Sequence, residues 1–102
     1  MKVFRQGDVL LRQIKGIPKT AKRQKRAGSI VLALGEVTGH KHQILDDGVD
    51  VFVKEDGTMY LKVANGAELR HEEHGTILLP PGNYERILQR EYEPQGIRQV
   101  LD

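Results

Sequence analysis

Residues 49–63 read VDVFVKEDGTMYLKV, and this stretch decides the fold class. Val49, Val51 and Val53 occupy every second position of the first run, and apolar residues at 59, 61 and 63 do the same in the second. A period of two is typical of a β-strand with one buried face. Asp56-Gly57 lies between the runs, and glycine readily adopts the positive φ of a tight loop. The stretch therefore predicts a β-hairpin.

The same signals recur along the chain. Turn dipeptides occur at residues 47–48, 65–66, 81–82 and 95–96, and a Gly7-Asp8 turn comes before an apolar run. No window of eleven or more residues carries a helical stripe, and residues 18–26, the best helical candidate, lack an apolar face and are predicted to be an exposed loop. Further strands are predicted at residues 8–14, 29–34, 76–79, 84–92 and 97–101. The prediction is an all-β fold of about eight or nine short strands, a small antiparallel barrel or sandwich.

Composition limits the function classes. The 102 residues, 11.5 kDa, fit one domain over residues 1–102. The absence of cysteine excludes disulfides, thiolate metal sites and a cysteine nucleophile. No apolar run is long enough to span a bilayer, and the first residues carry no secretory apolar segment. We therefore expect a cytoplasmic protein with no membrane partner.

The four histidines lie in two close pairs, His40-Lys41-His42 and His71-Glu72-Glu73-His74. On a β-strand the first spacing directs both imidazoles to one face, which Ile44 continues. The second pair can converge only at a bend, which Gly75 allows. Imidazoles bind divalent Zn, Fe, Mn, Ni or Cu, and an intervening glutamate can be a further ligand or a base on metal-bound water. The predicted metal ligands are His40, His42, His71 and His74, with Glu72 or Glu73.

Simpler interpretations of both pairs stay open. His40 and His42 can be an exposed strand pair with ordinary hydrogen bonds, and residues 70–74 can be a solvated charged turn. The second pair is not the HExxH motif of zinc proteases, because its histidines are three residues apart and no helix is predicted around them. No residue indicates a reaction type, so the enzyme question stays open.

Residues 35–42, GEVTGHKH, resemble the first metal-binding motif of the cupin family, in which a glycine is followed by His-x-His. The resemblance implies a cupin or jelly-roll-like β-barrel with an inward-facing His40 and His42 pair. It further implies a metal completed by a glutamate and by a histidine from a second motif. Here Asp46 and Asp47 follow the first pair, and Pro81-Gly82 comes after the second pair rather than before it. Cupin functions range from sugar isomerisation to ligand sensing, so the resemblance implies a small-molecule ligand without naming a reaction.

A basic segment, residues 19–26, provides the alternative function, a non-enzymatic barrel that binds RNA or DNA or interacts with another protein. Residues 1–51 hold ten Lys or Arg against five acids, and residues 19–26, KTAKRQKR, hold five of these cations. Such a segment can contact the phosphates of RNA or DNA, at about four or five positions, although an ordinary solvated loop has the same composition. The segment contains no aromatic residue to stack on a base. The candidate nucleic-acid contacts are Lys19, Lys22, Arg23, Lys25 and Arg26.

The predicted strand over residues 84–92 has no purely apolar face. Tyr84, Arg86, Leu88, Arg90 and Tyr92 share one side of it. A strand that is polar on both faces is typical of a sheet edge, a barrel rim or an interface. Tyr and Arg on one side also suit a contact in a homodimer or an anionic ligand.

Overall fold

The computed structural model describes residues 2–34 and 40–89, which form ten β-strands and no α-helix. The strands are β1 (Val3–Gln6), β2 (Val9–Ile14), β3 (Lys22–Gln24), β4 (Ile30–Leu34), β5 (Lys41–Ile44), β6 (Val49–Val53), β7 (Met59–Val63), β8 (Ala67–Arg70), β9 (Ile77–Leu79) and β10 (Gly82–Leu88). Among these residues no helix is long and apolar enough to cross a membrane.

The ten strands form two antiparallel sheets. The first sheet has the order β1-β2-β10-β7-β6-β3, and the second has the order β4-β5-β8-β9. All strand pairs in both sheets are antiparallel. The predicted all-β class is confirmed. A single closed barrel is wrong for the described residues, because their strands divide between two sheets rather than forming one continuous ladder.

Residues 49–63 form the predicted hairpin of β6 and β7, with Val53 opposite Met59 and Val49 opposite Val63. Gly57 has a φ of 90°, which explains the glycine in this loop. The Asp56 carboxylate accepts a hydrogen bond from the Thr58 N–H and closes the turn. The local signals and the hairpin therefore agree.

The core cluster lies between the sheets and is aliphatic except for one tyrosine, and a second buried tyrosine, Tyr60, lies outside this cluster. Tyr84 is fully buried, and its ring meets Phe4 edge-on at a centroid distance of 5.9 Å. Alternate residues of both sheets point inward, as the period of two requires. The buried cluster comprises Val9, Leu11, Ile30, Leu32, Ile44, Val49, Val51, Leu61, Val63, Ala67, Leu69, Leu79, Tyr84 and Leu88.

The basic segment differs from its predicted form. Residues 22–24 do not form a loop but the short edge strand β3, which pairs with β6. All three residues of β3 are exposed, so the strand presents no apolar pattern that the sequence could reveal. A short charged edge strand is a common way to end a sheet.

The strand over residues 84–92 also differs from prediction in its described part. Instead of lying at an edge, β10 is central and pairs with β2 and β7. Tyr84 is buried and Arg86 is half-buried, and both have partners: the Tyr84 hydroxyl donates to the Pro80 carbonyl at 2.6 Å, and Arg86 donates to the Leu32 carbonyl at 2.9 Å. The side of β10 assigned to a dimer contact therefore faces the protein interior here. Residues 90–92 and the predicted strand at 97–101 lie outside the described residues.

Replacement of Leu61 by alanine is expected to lower the free energy of unfolding by about 2–5 kcal/mol, because Leu61 is fully buried between the sheets. This is a large fraction of the roughly 5–15 kcal/mol typical of a small domain. Urea denaturation measures the change. Leu78, which is 68% exposed, is the matched control, and Leu78→Ala is expected to change stability by no more than about 0.5 kcal/mol. Equal losses in the two variants would contradict the assigned core.

Candidate metal centre

The four imidazoles converge at one place in the fold. Ring centroids are 4.3 Å apart for His42 and His71, 4.5 Å for His71 and His74, 5.9 Å for His42 and His74, and 5.6 Å for His40 and His71. The two pairs, about thirty residues apart in the chain, thus form one group of side chains. We call these four residues the histidine cluster.

The strands β5 and β8 bring the two pairs together. His42 lies in β5 and points inward with Ile44, as the strand period predicts, and His40 comes just before the strand. β8 pairs with β5 and ends at Arg70, so its continuation carries His71 beside His42. The chain bends over residues 72–74, as convergence of the second pair requires. His71 stabilises this bend, because its Nδ1 accepts the backbone N–H groups of Glu73 and His74 at 3.0 and 3.2 Å.

The hydrogen bonds of His71 affect its use as a ligand. Since Nδ1 accepts, the proton of the neutral ring lies on Nε2. Coordination of an ion through Nε2 therefore requires the proton to leave that atom and the two backbone hydrogen bonds to break. In this structure His71 stabilises the bend through these two hydrogen bonds.

Gln6 determines which nitrogen of the neutral His42 ring carries the proton. The Gln6 side-chain amide donates to the carbonyls of Leu69 and Gly75 at 2.8 and 2.9 Å, so its oxygen points the other way. That oxygen lies 2.9 Å from His42 Nδ1 and can only accept. His42 Nδ1 is therefore the N–H donor, and in the neutral ring Nε2 carries a lone pair. A histidine that donates one N–H to a fixed acceptor is typical of metal ligands.

The turn between β1 and β2 covers the inner side of the cluster. Asp8 Oδ1 lies 3.4 Å from His42 Nε2. Gly7 has a φ of 60°, and a Cβ at this position would lie 2.8 Å from His74 Nε2 and 3.2 Å from His42 Cε1. Only glycine allows the turn to approach the imidazoles so closely. Gln6, Gly7 and Asp8 are thus a third chain segment at the site.

Two glutamates lie on the solvent side. One ligand atom from each of His40, His71 and Glu72 lies within 4.8 Å of the others, which is close enough to surround one ion. Glu73 Oε1 is 2.6 Å from His40 Nδ1, an ion-pair contact that lacks the alignment of a hydrogen bond. Glu72 is held in place by the Lys41 N–H, which donates to its Oε2 at 2.8 Å.

Burial and charge distinguish His42 from the glutamates on the solvent side of the site. Burial lowers the pKa of His42, and the nearby His71 lowers it further, so the ring is neutral near pH 7. The hydrogen bond from the Lys41 N–H lowers the pKa of Glu72 and keeps this carboxylate ionised near pH 7. His42 is 5% exposed, whereas Glu72, Glu73 and His74 are exposed to solvent.

The basic segment lies elsewhere in the fold, along the edge strand β3. Arg23 forms an ion pair with Asp50 at 3.0 Å. Arg26 donates to the carbonyls of Gly28, Asp47 and Val49. These two arginines therefore have structural roles, which leaves Lys19, Lys22 and Lys25 as the better candidates for phosphate contact. An open cleft of about 480 Å³ is bordered by Asp50 and residues 23–26.

Sequence reasoning placed the histidines and glutamates but missed the segment Gln6-Gly7-Asp8. The pattern Gly7-Asp8 indicates a turn, and nothing local indicates that it meets a histidine thirty-four residues later in the chain. The sequence gives little indication that Gln6 is buried, because Gln6 ends a four-residue strand, VFRQ, that has no clear alternating pattern. Gln6 and His42 are the buried polar residues of the described chain.

Two antiparallel sheets with a histidine cluster between their loops define the chain as a small all-β domain with a candidate metal site. Residues 5–89 match the model of a domain of unknown function, DUF8820, and the chain belongs to that family. The matched range includes the whole cluster together with the Gln6-Gly7-Asp8 turn. No curated protein and no solved structure gives a significant match to the chain.

Lower pH is expected to destabilise the metal-free protein through His42. Because the folded state holds the pKa of His42 below 6.5, the unfolded chain takes up a proton at this residue at higher pH than the folded chain. The stabilising contribution is complete above about pH 6.5 and is lost as the pH falls toward the lower folded pKa. Urea denaturation in the presence of EDTA, between about pH 7.5 and 5.5, measures this loss.

In the variant His42→Gln the free energy of unfolding is expected to fall less between about pH 7.5 and 5.5 than it does in the wild type. Gln43→Ala, on the same strand, is the control and should keep the wild-type pH dependence. The interval lies above the titration range of carboxylates such as Glu72, whose lowered pKa affects stability only in more acidic solution. Identical pH dependence in wild type and His42→Gln would show that His42 has no such role.

Proposed function

We propose that this protein binds a divalent transition-metal ion through the histidine cluster and presents it to a small molecule. The observation that carries the proposal is the convergence of four imidazoles from two chain segments, with ring centroids 4.3–5.9 Å apart. Uncoordinated imidazoles gain little from such close contact, whereas neutral imidazoles are the commonest metal ligands.

The surroundings of the cluster support a metal rather than a purely structural role. His42 is neutral and held by Gln6, so its lone pair is available without loss of a hydrogen bond. Glu72, close to His40 and His71, supplies negative charge that favours a cation, and Glu73 adds more beside His40. The cluster is also open to solvent on the side of the glutamates. An ion bound there keeps a position for water or for a small anionic ligand, as catalytic sites do.

The ligand set narrows the choice of metal without deciding it. Imidazole and carboxylate ligands suit Zn, Fe, Mn, Ni and Cu, whereas Mg and Ca prefer oxygen alone. The resemblance of residues 35–42 to a cupin motif favours the same role for His40 and His42, and a cupin-like relationship stays a prediction. Residues 35–39 of that motif lie outside the described residues. Glu72 or Glu73 is the candidate base if the ion activates water.

Elemental mass spectrometry of the purified protein tests the proposal. We expect about one equivalent or more of a transition metal per chain. Failing that, protein stripped with EDTA should bind added Zn²⁺ or Ni²⁺ with micromolar or tighter affinity. Bound metal should also raise the melting temperature, because it binds only the folded state. His42→Ala is expected to weaken binding by at least tenfold, and Gln43→Ala serves as the control.

Less than about a tenth of an equivalent of metal, together with no micromolar binding, would overturn the metal proposal. Full metal content in both His40→Ala and His42→Ala would equally exclude the cluster as the site.

We also propose, as an alternative, binding of RNA or DNA along β3. The favouring observation is that Lys22, Arg23 and Gln24 form a fully exposed edge strand next to the cleft that Lys25 and Arg26 border. Since both arginines are engaged within the protein, we expect contacts from Lys19, Lys22 and Lys25. For duplex DNA the logarithm of affinity should then fall against the logarithm of salt concentration with a slope of about −3.

Fluorescence anisotropy with labelled duplex DNA, at a series of salt concentrations, measures this slope. Replacement of Lys19, Lys22 and Lys25 by glutamine is expected to remove most of the binding. The control replaces Lys2, Lys15 and Lys62, which are exposed and lie outside residues 19–26, and so changes the net charge equally. No binding at low salt, or equal losses in the two triple variants, would exclude the basic segment.

A further inference from the structure

We propose that Asp8 is a ligand of the same metal ion as His42, and that Gln6 is a positioning residue that directs the His42 lone pair at that ion. The inference rests on the proposed function and assigns the ion a place on the inner side of the cluster. It adds two residues that sequence patterns do not reveal. Gln6 ends β1 and Asp8 lies in the turn that follows, so both belong to the sheet opposite the one that carries His42.

The first step is the orientation of the Gln6 amide. Its nitrogen lies 2.8 Å from the Leu69 carbonyl and 2.9 Å from the Gly75 carbonyl. A carbonyl oxygen only accepts, so a reversed amide would place oxygen against oxygen twice. The Gln6 oxygen therefore faces His42, and His42 Nδ1 must donate to it.

The second step follows for the other nitrogen of the ring. With its one proton on Nδ1, neutral His42 directs the Nε2 lone pair at Asp8 Oδ1, 3.4 Å away. A lone pair and a carboxylate oxygen repel each other, and a cation bound between them converts this repulsion into attraction on both sides. Burial also opposes a second proton on this ring.

The distance between His42 Nε2 and Asp8 Oδ1 fits two ligands of one ion. Two ligand atoms at about 2.1 Å from a tetrahedral ion lie about 3.4 Å from each other. An N–H···O hydrogen bond is shorter, about 2.7–3.2 Å. The separation of His42 Nε2 and Asp8 Oδ1, 3.4 Å, matches the edge of a coordination tetrahedron. His74 Nε2 lies beside the same turn, 2.8 Å from where a Cβ on Gly7 would be, and is a candidate for a further nitrogen ligand.

Gln6 determines the tautomer of the neutral His42 ring. The neutral imidazole of free histidine prefers to carry its proton on Nε2, which is the atom that must coordinate here. Gln6 reverses this preference before any metal arrives. Because Gln6 is 2% exposed and holds three hydrogen bonds, its oxygen cannot turn away from His42.

Titration of the metal-free protein with Co²⁺, followed by its visible absorption, tests Asp8. Asp8→Asn is expected to weaken Co²⁺ binding by at least tenfold and to change the absorption bands, because one oxygen ligand is lost. Asp47→Asn, an exposed aspartate in the turn before β6, is the matched control and should bind as wild type does. Circular dichroism establishes that each variant is folded.

Long-range ¹H–¹⁵N NMR of the metal-free wild type tests Gln6 without any variant. The spectrum should show His42 with a proton on Nδ1 and none on Nε2 near neutral pH. Gln6→Met, of similar size, should return His42 to the Nε2–H form and weaken Co²⁺ binding by about tenfold or more while the sheets remain folded. A merely structural role of Gln6 would not change the tautomer.

The outcomes separate this inference from the proposed function. Wild-type affinity in Asp8→Asn, together with weakened binding in His42→Ala, would overturn the role of Asp8 and leave the metal site in place. A proton on His42 Nε2 in the wild type would overturn the role of Gln6. Failure of wild-type protein to bind Co²⁺, Zn²⁺ or Ni²⁺ would overturn the proposed function itself.

Discussion

The buried amide of Gln6 is the interaction on which the site depends. It joins three chain segments through hydrogen bonds to Leu69, Gly75 and His42, and these partners lie in the second sheet or its loops. Gln6 itself ends β1 of the first sheet. A buried polar group must find partners or cost free energy, so the amide fixes how the two sheets meet at this end. The histidine cluster is built around that fixed point.

The aliphatic core sets the frame in which this polar contact forms. Alternate residues of both sheets fill the space between them, and the same alternation turns His42 inward next to Ile44. An imidazole thus occupies a position of the apolar face. Its cost of burial is met by Gln6 on one side, and the other side opens toward Asp8 and the remaining imidazoles. The histidine cluster and the core share one strand pattern.

The sequence predicted those parts of the structure that local patterns determine. The hairpin of β6 and β7 followed from its alternation and from Gly57, and the shared location of the histidines followed from their spacing and a bend. Short charged strands such as β1 and β3 carried no such pattern. The position of β10 was predicted wrongly because Tyr84 and Arg86 are polar in sequence, whereas in the central strand each donates a hydrogen bond to a backbone carbonyl. Gln6 and Asp8 escaped notice because a tertiary contact alone brings them to His42.

The strand order affects when the histidine cluster and its supporting turn come together during folding. β2 lies between β1 and β10, so the second strand of the chain pairs with the last described one. The Gln89 N–H also bonds to the Asp8 carbonyl. During synthesis on the ribosome, the turn that carries Asp8 must wait for β10 before its sheet is complete, and such distant pairing is slow to form. The turn that contacts His42 is therefore completed late in folding, and a nascent chain that lacks β10 has the histidines but lacks the strand that supports this turn.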